Sequence, residues 1–160
     1  MPAMLKDDEM TSITVETLMK GTIDVPEQDV ITFSQALLGF EQRHRYIILQ
    51  TQPGPLYWLQ SIEDPRLAFC LLAPFETNLD PDFEIGRQEV EDLQASGATE
   101  ITVYTMVVLD RDPQQMRTNL RAPLLVCRRT GLGKQVVFTD ERLSVQFFLK
   151  DIPQAKAKSR

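Results

Sequence analysis

Gly131-Leu132-Gly133-Lys134 is the stretch of this 160-residue chain whose residue types suggest phosphate chemistry. A phosphate-cradling loop needs a glycine five residues before the Gly-Lys pair and a Ser or Thr after it, so that backbone amides surround the phosphates and the hydroxyl holds magnesium. Position 128 is Arg128 and the residue after Lys134 is Gln135. The following QVVF reads as a strand, not as a helix whose N-terminus could hold a phosphate. The spacing fits two strands, LLVC and KQVVF, joined by a glycine-containing turn. Arg128, Arg129 and Lys134 then sit near the turn as a solvated rim or as contacts for an acidic ligand. Histidine occurs once, as His44 in EQRHRY. Any Ser-His-Asp or Cys-His arrangement runs through it. Arg43 and Arg45 beside it disfavour the imidazolium that a general base must become. Two distant cysteines and one histidine give no zinc spacing. Asp80, Asp82 and Glu84 alternate as a calcium loop begins, but the glycine such a loop requires at its sixth position is Ile85. No catalytic residue, metal site or cofactor is therefore assigned, and the reading is of a protein that is not an enzyme.

The elements that must position these residues are mostly strands. Runs rich in β-branched and aromatic residues recur: SITVET (12–17), TIDV (22–25), DVITF (29–33), RYIILQ (45–50), LYWLQSI (56–62), LAFCLLA (67–73), ITVYTMVVL (101–109), APLLVC (122–127), KQVVF (134–138) and SVQFFL (144–149). Proline, glycine and aspartate clusters punctuate them. This predicts a mainly β fold, a small antiparallel β-barrel-like or sandwich domain with one or two short helices. One helical piece is a short turn capped by Ser34 and ending near Gly39. The other covers residues 87–95, where Val90 and Leu93 fall three apart and Gly97 acts as a stop. Residues 1–10 read as a flexible N-terminus, 11–150 as a single β domain, and 151–160 as a disordered basic tail.

Composition narrows the partners. Hydrophobic residues make up 42% and charged residues 25%, as in an ordinary soluble domain. No apolar run approaches membrane-spanning length, and MPAMLKDDEM has no secretion-signal pattern, so a cytoplasmic location is expected. Cys70 and Cys127 lie inside apolar runs and read as reduced, buried thiols, with a disulfide between neighbouring strands as the alternative. The net charge of −6 is uneven: residues 1–100 carry 18 Asp/Glu and 6 Lys/Arg, residues 101–160 carry 5 and 11. An acidic major part argues against direct nucleic-acid binding and suits a basic protein partner. Within LYWLQS, alternation places Tyr57, Leu59 and Ser61 on one face and Leu56, Trp58 and Gln60 on the other. Trp58 reads as a core anchor, with an interface hot spot as the alternative. Asn119 is expected to satisfy backbone groups at a turn, and Pro123 to mark the start or edge of a strand.

These segments also carry a resemblance. Gly39-Phe40-Glu41, then Trp58-Leu59-Gln60-Ser61 with Asp64-Pro65, then Asn119-Leu120-Arg121-Ala122-Pro123, then Gly133-Lys134-Gln135-Val136-Val137, in this order over residues 12–150, resemble the flagellar assembly factor FliW family. Leu38 stands where that family usually has proline, and Phe83 where tyrosine is common. The resemblance implies a small, monomeric, cytoplasmic β protein that binds two partners. One is CsrA, an RNA-binding translational repressor that it antagonises allosterically, and the other is flagellin. Flagellin synthesis is thereby coupled to flagellin secretion. Glu63, Asp64, Asp80, Asp82 and Glu84, around the Trp58 strand and the turns after it, are the candidate partner-binding residues. Gly39, Phe40, Glu41, Trp58, Gln60, Ser61, Asn119, Pro123 and Gln135 are motif positions that serve either the fold or binding. A small β-barrel enzyme with an unrecognised pocket, or a self-assembling structural protein, stand as alternatives.

Overall fold

The computed structural model of the protein describes residues 11–37 and 39–154. Eleven strands run β1 (Ser12–Thr17), β2 (Gly21–Pro26), β3 (Ile31–Phe33), β4 (Arg45–Leu49), β5 (Leu56–Ser61), β6 (Ala68–Leu72), β7 (Thr102–Val108), β8 (Arg117–Thr118), β9 (Leu124–Cys127), β10 (Leu132–Gln135) and β11 (Phe147–Phe148). One α-helix, α1 (Arg87–Asp92), lies between β6 and β7. Strands β7, β6, β5, β4, β3, β10 and β9 pair in that order, and β9 pairs back onto β7, closing a seven-stranded barrel. Closure excludes the sandwich and corrects the fully antiparallel expectation. Strand direction cannot alternate all the way round an odd-numbered ring, so one pair must be parallel. That pair is β3–β10. It is short, and Thr32 N extends it by donating to Gly131 O at 2.8 Å.

Alternation along each strand sorts side chains into an inside and an outside. Phe33, Tyr46, Leu59, Leu71, Tyr104, Leu124 and Val126 fill the interior, each no more than 3% exposed. The outward residues are covered by three appendages. The β1–β2 hairpin lays Val15 and Val25 on Ile47. The stretch around α1 lays Leu93, Val90 and Phe83 on Val103, Leu125 and Cys127. The C-terminal segment lays Leu149 and Ile152, with Met116, on Cys70, Leu72 and Val107, and Trp58 packs there half-buried. Trp58 is thus an anchor on the outside of the barrel, not a member of the central core. Strand β9 is covered on both faces, which is why LLVC is apolar without a break. Cys70 and Cys127 are buried free thiols in two different outer clusters. Burial pushes the Cys70 thiol up to about 11.

Several local expectations shift. Helix α1 ends before Gly97. Gln94 takes the left-handed conformation at φ 53°, Gln94 N donates to Glu91 O and Ala95 N to Val90 O, which closes the last turn. The 34–39 stretch is not a helix among the described residues. It bends, and Phe40 N donates to Leu37 O at 2.9 Å. The glycine turn between β9 and β10 is a hairpin, with Gly131 at φ +72° and its N–H on Cys127 O. Strand β10 starts at Leu132 and not at Lys134, because Leu132 and Gly133 pair with Cys127 and Val126. Gly133 is required by packing, since a Cβ there would meet the Phe33 ring at 2.8 Å. The two-residue strand β8 falls outside every sequence-predicted run. The expected flexible N-terminus, residues 155–160 of the expected tail, and Leu38 lie outside the described residues.

Candidate functional site

The WLQS segment ends β5 with two polar side chains that build the turn after it. Gln60 is 1% exposed. Its Nε2 donates to Ser61 O at 2.9 Å, Pro65 O at 3.2 Å, Leu67 O at 3.3 Å and Asp64 O at 3.4 Å, while its Oε1 accepts from Leu18 N at 2.8 Å. One buried amide therefore holds both the 61–67 turn and the tip of the β1–β2 hairpin. Ser61 Oγ accepts from the amides of Glu63 and Asp64. This fixes the two carboxylates against the 39–45 loop. Glu63 Oε1 accepts from His44 N at 2.9 Å and Arg45 N at 3.3 Å, and its other oxygen pairs with Arg45 Nε at 3.5 Å. Burial pulls the Glu63 carboxyl up, but these amides and the guanidinium outweigh it and hold it below the usual glutamate range. Asp64 lies 3.6 Å from Arg43 Nη2. His44 Nδ1 donates to Phe33 O at 2.9 Å, so its ring ties the loop to the end of β3.

The Gly39-Phe40-Glu41 motif borders the same region. Gly39, at φ +89°, donates to Glu41 Oε2, and Phe40 sets its ring edgewise on Phe69 at 4.9 Å while remaining 37% exposed. Gly39, Phe40, Glu41, Arg43, Asp64 and Leu67 line a hollow of about 390 Å³. Nearby, Tyr46 OH and Arg43 Nε are buried without hydrogen-bond partners. Burial, helped by Glu63, pushes the Tyr46 phenol up to about 12, so it stays protonated.

The other three acidic candidates are elsewhere. In the segment before α1, Leu79, Pro81, Phe83 and Ile85 are half-buried, while Asp80, Asp82 and Glu84 alternate with them and are exposed. Leu79 and Pro81 form one side of a groove of about 360 Å³, with Leu120, Leu143 and Phe147 also lining it and Asp80, Asp82, Asp140 and Arg142 at its polar margin. The Asn119-Leu120-Arg121-Ala122-Pro123 motif shapes the far wall. Asn119 Oδ1 accepts from Arg121 N at 2.8 Å, Arg121 Nε donates to Leu143 O at 2.9 Å, and Leu120 N donates to Ser144 O at 2.8 Å. Pro123 is buried immediately before β9, its carbonyl accepts from Val136 N, and Gln135 Nε2 donates to Ala122 O. Arg142 forks onto Asp140, whose carboxyl it holds down at about 2.

The five carboxylates that look like one cluster in sequence thus divide between two regions: Asp64 lines the hollow beside Gly39-Phe40-Glu41, Asp80 and Asp82 line the groove beside Leu120, and Glu63 and Glu84 line neither. Arg43, Arg121 and Arg142 are not among the candidate residues, although Arg43 stands beside His44 and Arg121 lies inside the motif itself. The hairpin cations are engaged internally: Arg128 donates to Tyr104 OH, Arg129 pairs with Glu100, and Lys134 reaches Asp92 at 2.7 Å. Among the described residues no group of three or more His, Cys, Asp and Glu is placed to hold a metal ion, and no helix is long and apolar enough to cross a membrane.

Comparison with known proteins agrees with the motif order. A profile of the FliW protein family matches residues 14–149. The flagellar assembly factor FliW of Caldicellulosiruptor bescii is 32% identical over 135 residues, covering 84% of this chain and 89% of that protein. The FliW of Alkaliphilus metalliredigens is 31% identical over 148 residues, covering 91% of each. A crystal structure of the flagellar assembly factor FliW superposes with a TM-score of 0.79 at 26% identity, covering 90% of this chain and all of that one. With the profile spanning most of the chain and the barrel shared, this protein belongs to the FliW family of flagellar assembly factors.

Proposed function

We propose that this flagellar assembly factor acts in the cytoplasm by occupancy, as a monomer. It binds a CsrA-type RNA-binding repressor and flagellin in competition, and transforms no substrate. Flagellin that accumulates fills the protein and leaves the repressor active; exported flagellin frees it to antagonise the repressor. The observation that carries this reading is the exposed row Asp80, Asp82 and Glu84. None of the three carboxylates accepts a hydrogen bond or forms an ion pair among the described residues. Fields of this kind steer a basic partner and raise its association rate. Glu63 and Asp64 are the second acidic element of the same surface chemistry, with exposed Phe40 as its apolar anchor. An interface of ordinary size buries about 1,600 Å² in total, which loops at two such concavities can provide.

The test is calorimetric titration of the protein with CsrA and with flagellin, singly and in competition, across salt concentrations. Repeating it with Glu63→Gln, Asp64→Asn, Asp80→Asn, Asp82→Asn and Glu84→Gln combined should weaken CsrA binding and flatten its salt dependence. Unchanged affinity and slope reject the acidic surface, and simultaneous binding of both partners rejects the competition.

A further inference from the structure

The groove between residues 79–82 and 140–147 has an apolar floor, an acidic margin and a neighbour that supplies its complement. The last described residues run beside it. Ile152 packs on the outer cluster with Trp58, and Pro153 O accepts a hydrogen bond from Asn78 Nδ2 at 2.9 Å. Asn78 is two residues before Asp80. The chain therefore leaves its last fixed point at the end of the acidic row. Beyond it the sequence reads Ala155-Lys156-Ala157-Lys158-Ser159-Arg160. Lys156, Lys158 and Arg160 recur every second residue, the same period as Asp80, Asp82 and Glu84, and the residues between them are small.

Two further features favour an extended partner there. Residues 79–85 belong to no strand, and among the described residues the amides of Asp80, Asp82 and Glu84 donate to nothing. Phe83 N between them donates to Pro81 O at 3.1 Å, which leaves the alternate amides of residues 80, 82 and 84 as the donors an added strand could meet, with side-chain pairs setting register. Arg142, the cation on this groove, is held bidentately by Asp140 and leaves the 80–84 carboxylates uncompensated by any close pair. Six residues span up to about 20 Å, enough to run the length of the row from Pro153.

We propose that the basic segment 155–160 docks along residues 79–84 of its own chain, with Lys156, Lys158 and Arg160 beside Asp80, Asp82 and Glu84, as a built-in competitor for basic partners. Tethering gives such a segment an effective concentration on the order of millimolar, so weak intrinsic pairing suffices to occupy the groove part of the time. The docking itself needs no partner. Its regulatory consequence rests on the function proposed above: a basic partner must displace the segment first.

The test compares amide spectra of the full chain, a chain ending at Gln154, and a full-length Lys156→Glu, Lys158→Glu, Arg160→Glu variant. At about 0.02 M salt, both altered chains should shift the amides of Leu79, Asp82, Leu120 and Ser144 alike, and the difference from the full chain should vanish at about 0.5 M salt. Combining Asp82→Lys with Lys158→Asp should restore the full-chain pattern that either change alone removes. Four results overturn the proposal. These are groove amides unchanged in both altered chains; shifts in the truncation alone, independent of salt; shifts that grow with protein concentration, which place the segment on a second copy; and a groove that responds to CsrA but not to residues 155–160, which assigns it to a partner alone. Where docking holds, the chain ending at Gln154 should bind CsrA about two- to tenfold more tightly, and failure of that arm with the spectral arm intact falls on the function and not on the docking.

Discussion

The turn at 61–67 and the segment at 79–85 have similar acidic compositions and opposite physics. In the first, each carboxylate is already engaged. Glu63 receives two backbone amides and a guanidinium, Asp64 faces Arg43, and Gln60 and Ser61 behind them fix the backbone that carries both. In the second, Asp80, Asp82 and Glu84 stand in water with no close partner among the described residues. A charge whose hydrogen bonds are internal stabilises the fold whether or not it also meets a ligand. A charge without partners contributes nothing to the fold and is free to meet one. Acidity counted from the sequence therefore does not separate carboxylates engaged within the fold from carboxylates left to water.

The strongest way to break this contrast is to remove the amide on which the first region depends. Gln60→Ala strips Leu18 N of its acceptor and leaves the carbonyls of residues 61–67 with one donor fewer, inside a site that is 1% exposed. A loss of about 2–3 kcal/mol is expected in denaturant unfolding. Gln60→Glu should cost more, because it keeps the acceptor for Leu18 but turns a carboxylate oxygen toward carbonyls. A loss under about 0.5 kcal/mol for both would mean that the turn holds itself without Gln60.

Glu63→Gln sharpens the same side with a pH signature. The folded carboxyl lies below the ordinary glutamate value of 4.5, so its stabilising contribution is complete above that value and lost as pH falls through the lower, folded one. At neutral pH the variant should be less stable by about 1 kcal/mol, and the gap to the unsubstituted protein should close on acidification below 4.5. Unfolding curves from neutral to acidic pH read this directly. A gap that persists at the acidic end would trace the loss to geometry and not to charge.

How far the sequence revealed this layout depends on the range of the interactions. Ten of the strands left local signatures, β-branched and aromatic runs bounded by turn residues, because each covers at least one face with apolar side chains. Strand β8 left none: Arg117 and Thr118 pair with β7 and β11, and Thr118 is committed by a hydroxyl contact to Thr105 that no local pattern announces. Closure was invisible for the same reason, since the β3–β10 and β7–β9 pairings join segments about a hundred and about twenty residues apart. The motif positions Gln60, Ser61 and Asn119 were legible as important, but their backbone-holding work was clear only for Asn119, whose place before a turn is a local cue. Glu63 and Asp64 look equivalent to Asp80 in sequence because the groups that engage them, at residues 43–45, come from the far side of a strand pair.

Arg43 and Asp64 give a smaller effect, and one that limits how much the first region owes to its ion pairs. Their atoms are 3.6 Å apart and both side chains are about one-third exposed. A double-mutant cycle with Arg43→Gln and Asp64→Asn should yield a coupling of about 0.5 kcal/mol that falls with salt. A coupling several times larger would show that this pair, and not Gln60, organises the hollow beside Phe40.

The smallest stability effect belongs to the region with the largest expected effect on binding. Asp80→Asn, Asp82→Asn and Glu84→Gln together remove three exposed charges that repel one another at two-residue spacing, two of which, Asp82 and Glu84, are attracted by the charge of Arg142. The two contributions oppose, so unfolding free energy should move by no more than about 0.5 kcal/mol in either direction. The same substitutions in the titration with CsrA should lower the affinity and its salt slope. The opposite pattern, clear destabilisation with partner binding intact, would put these carboxylates in the same class as Glu63. The contrast between an end that is built and an end that is offered would then fail at its second term.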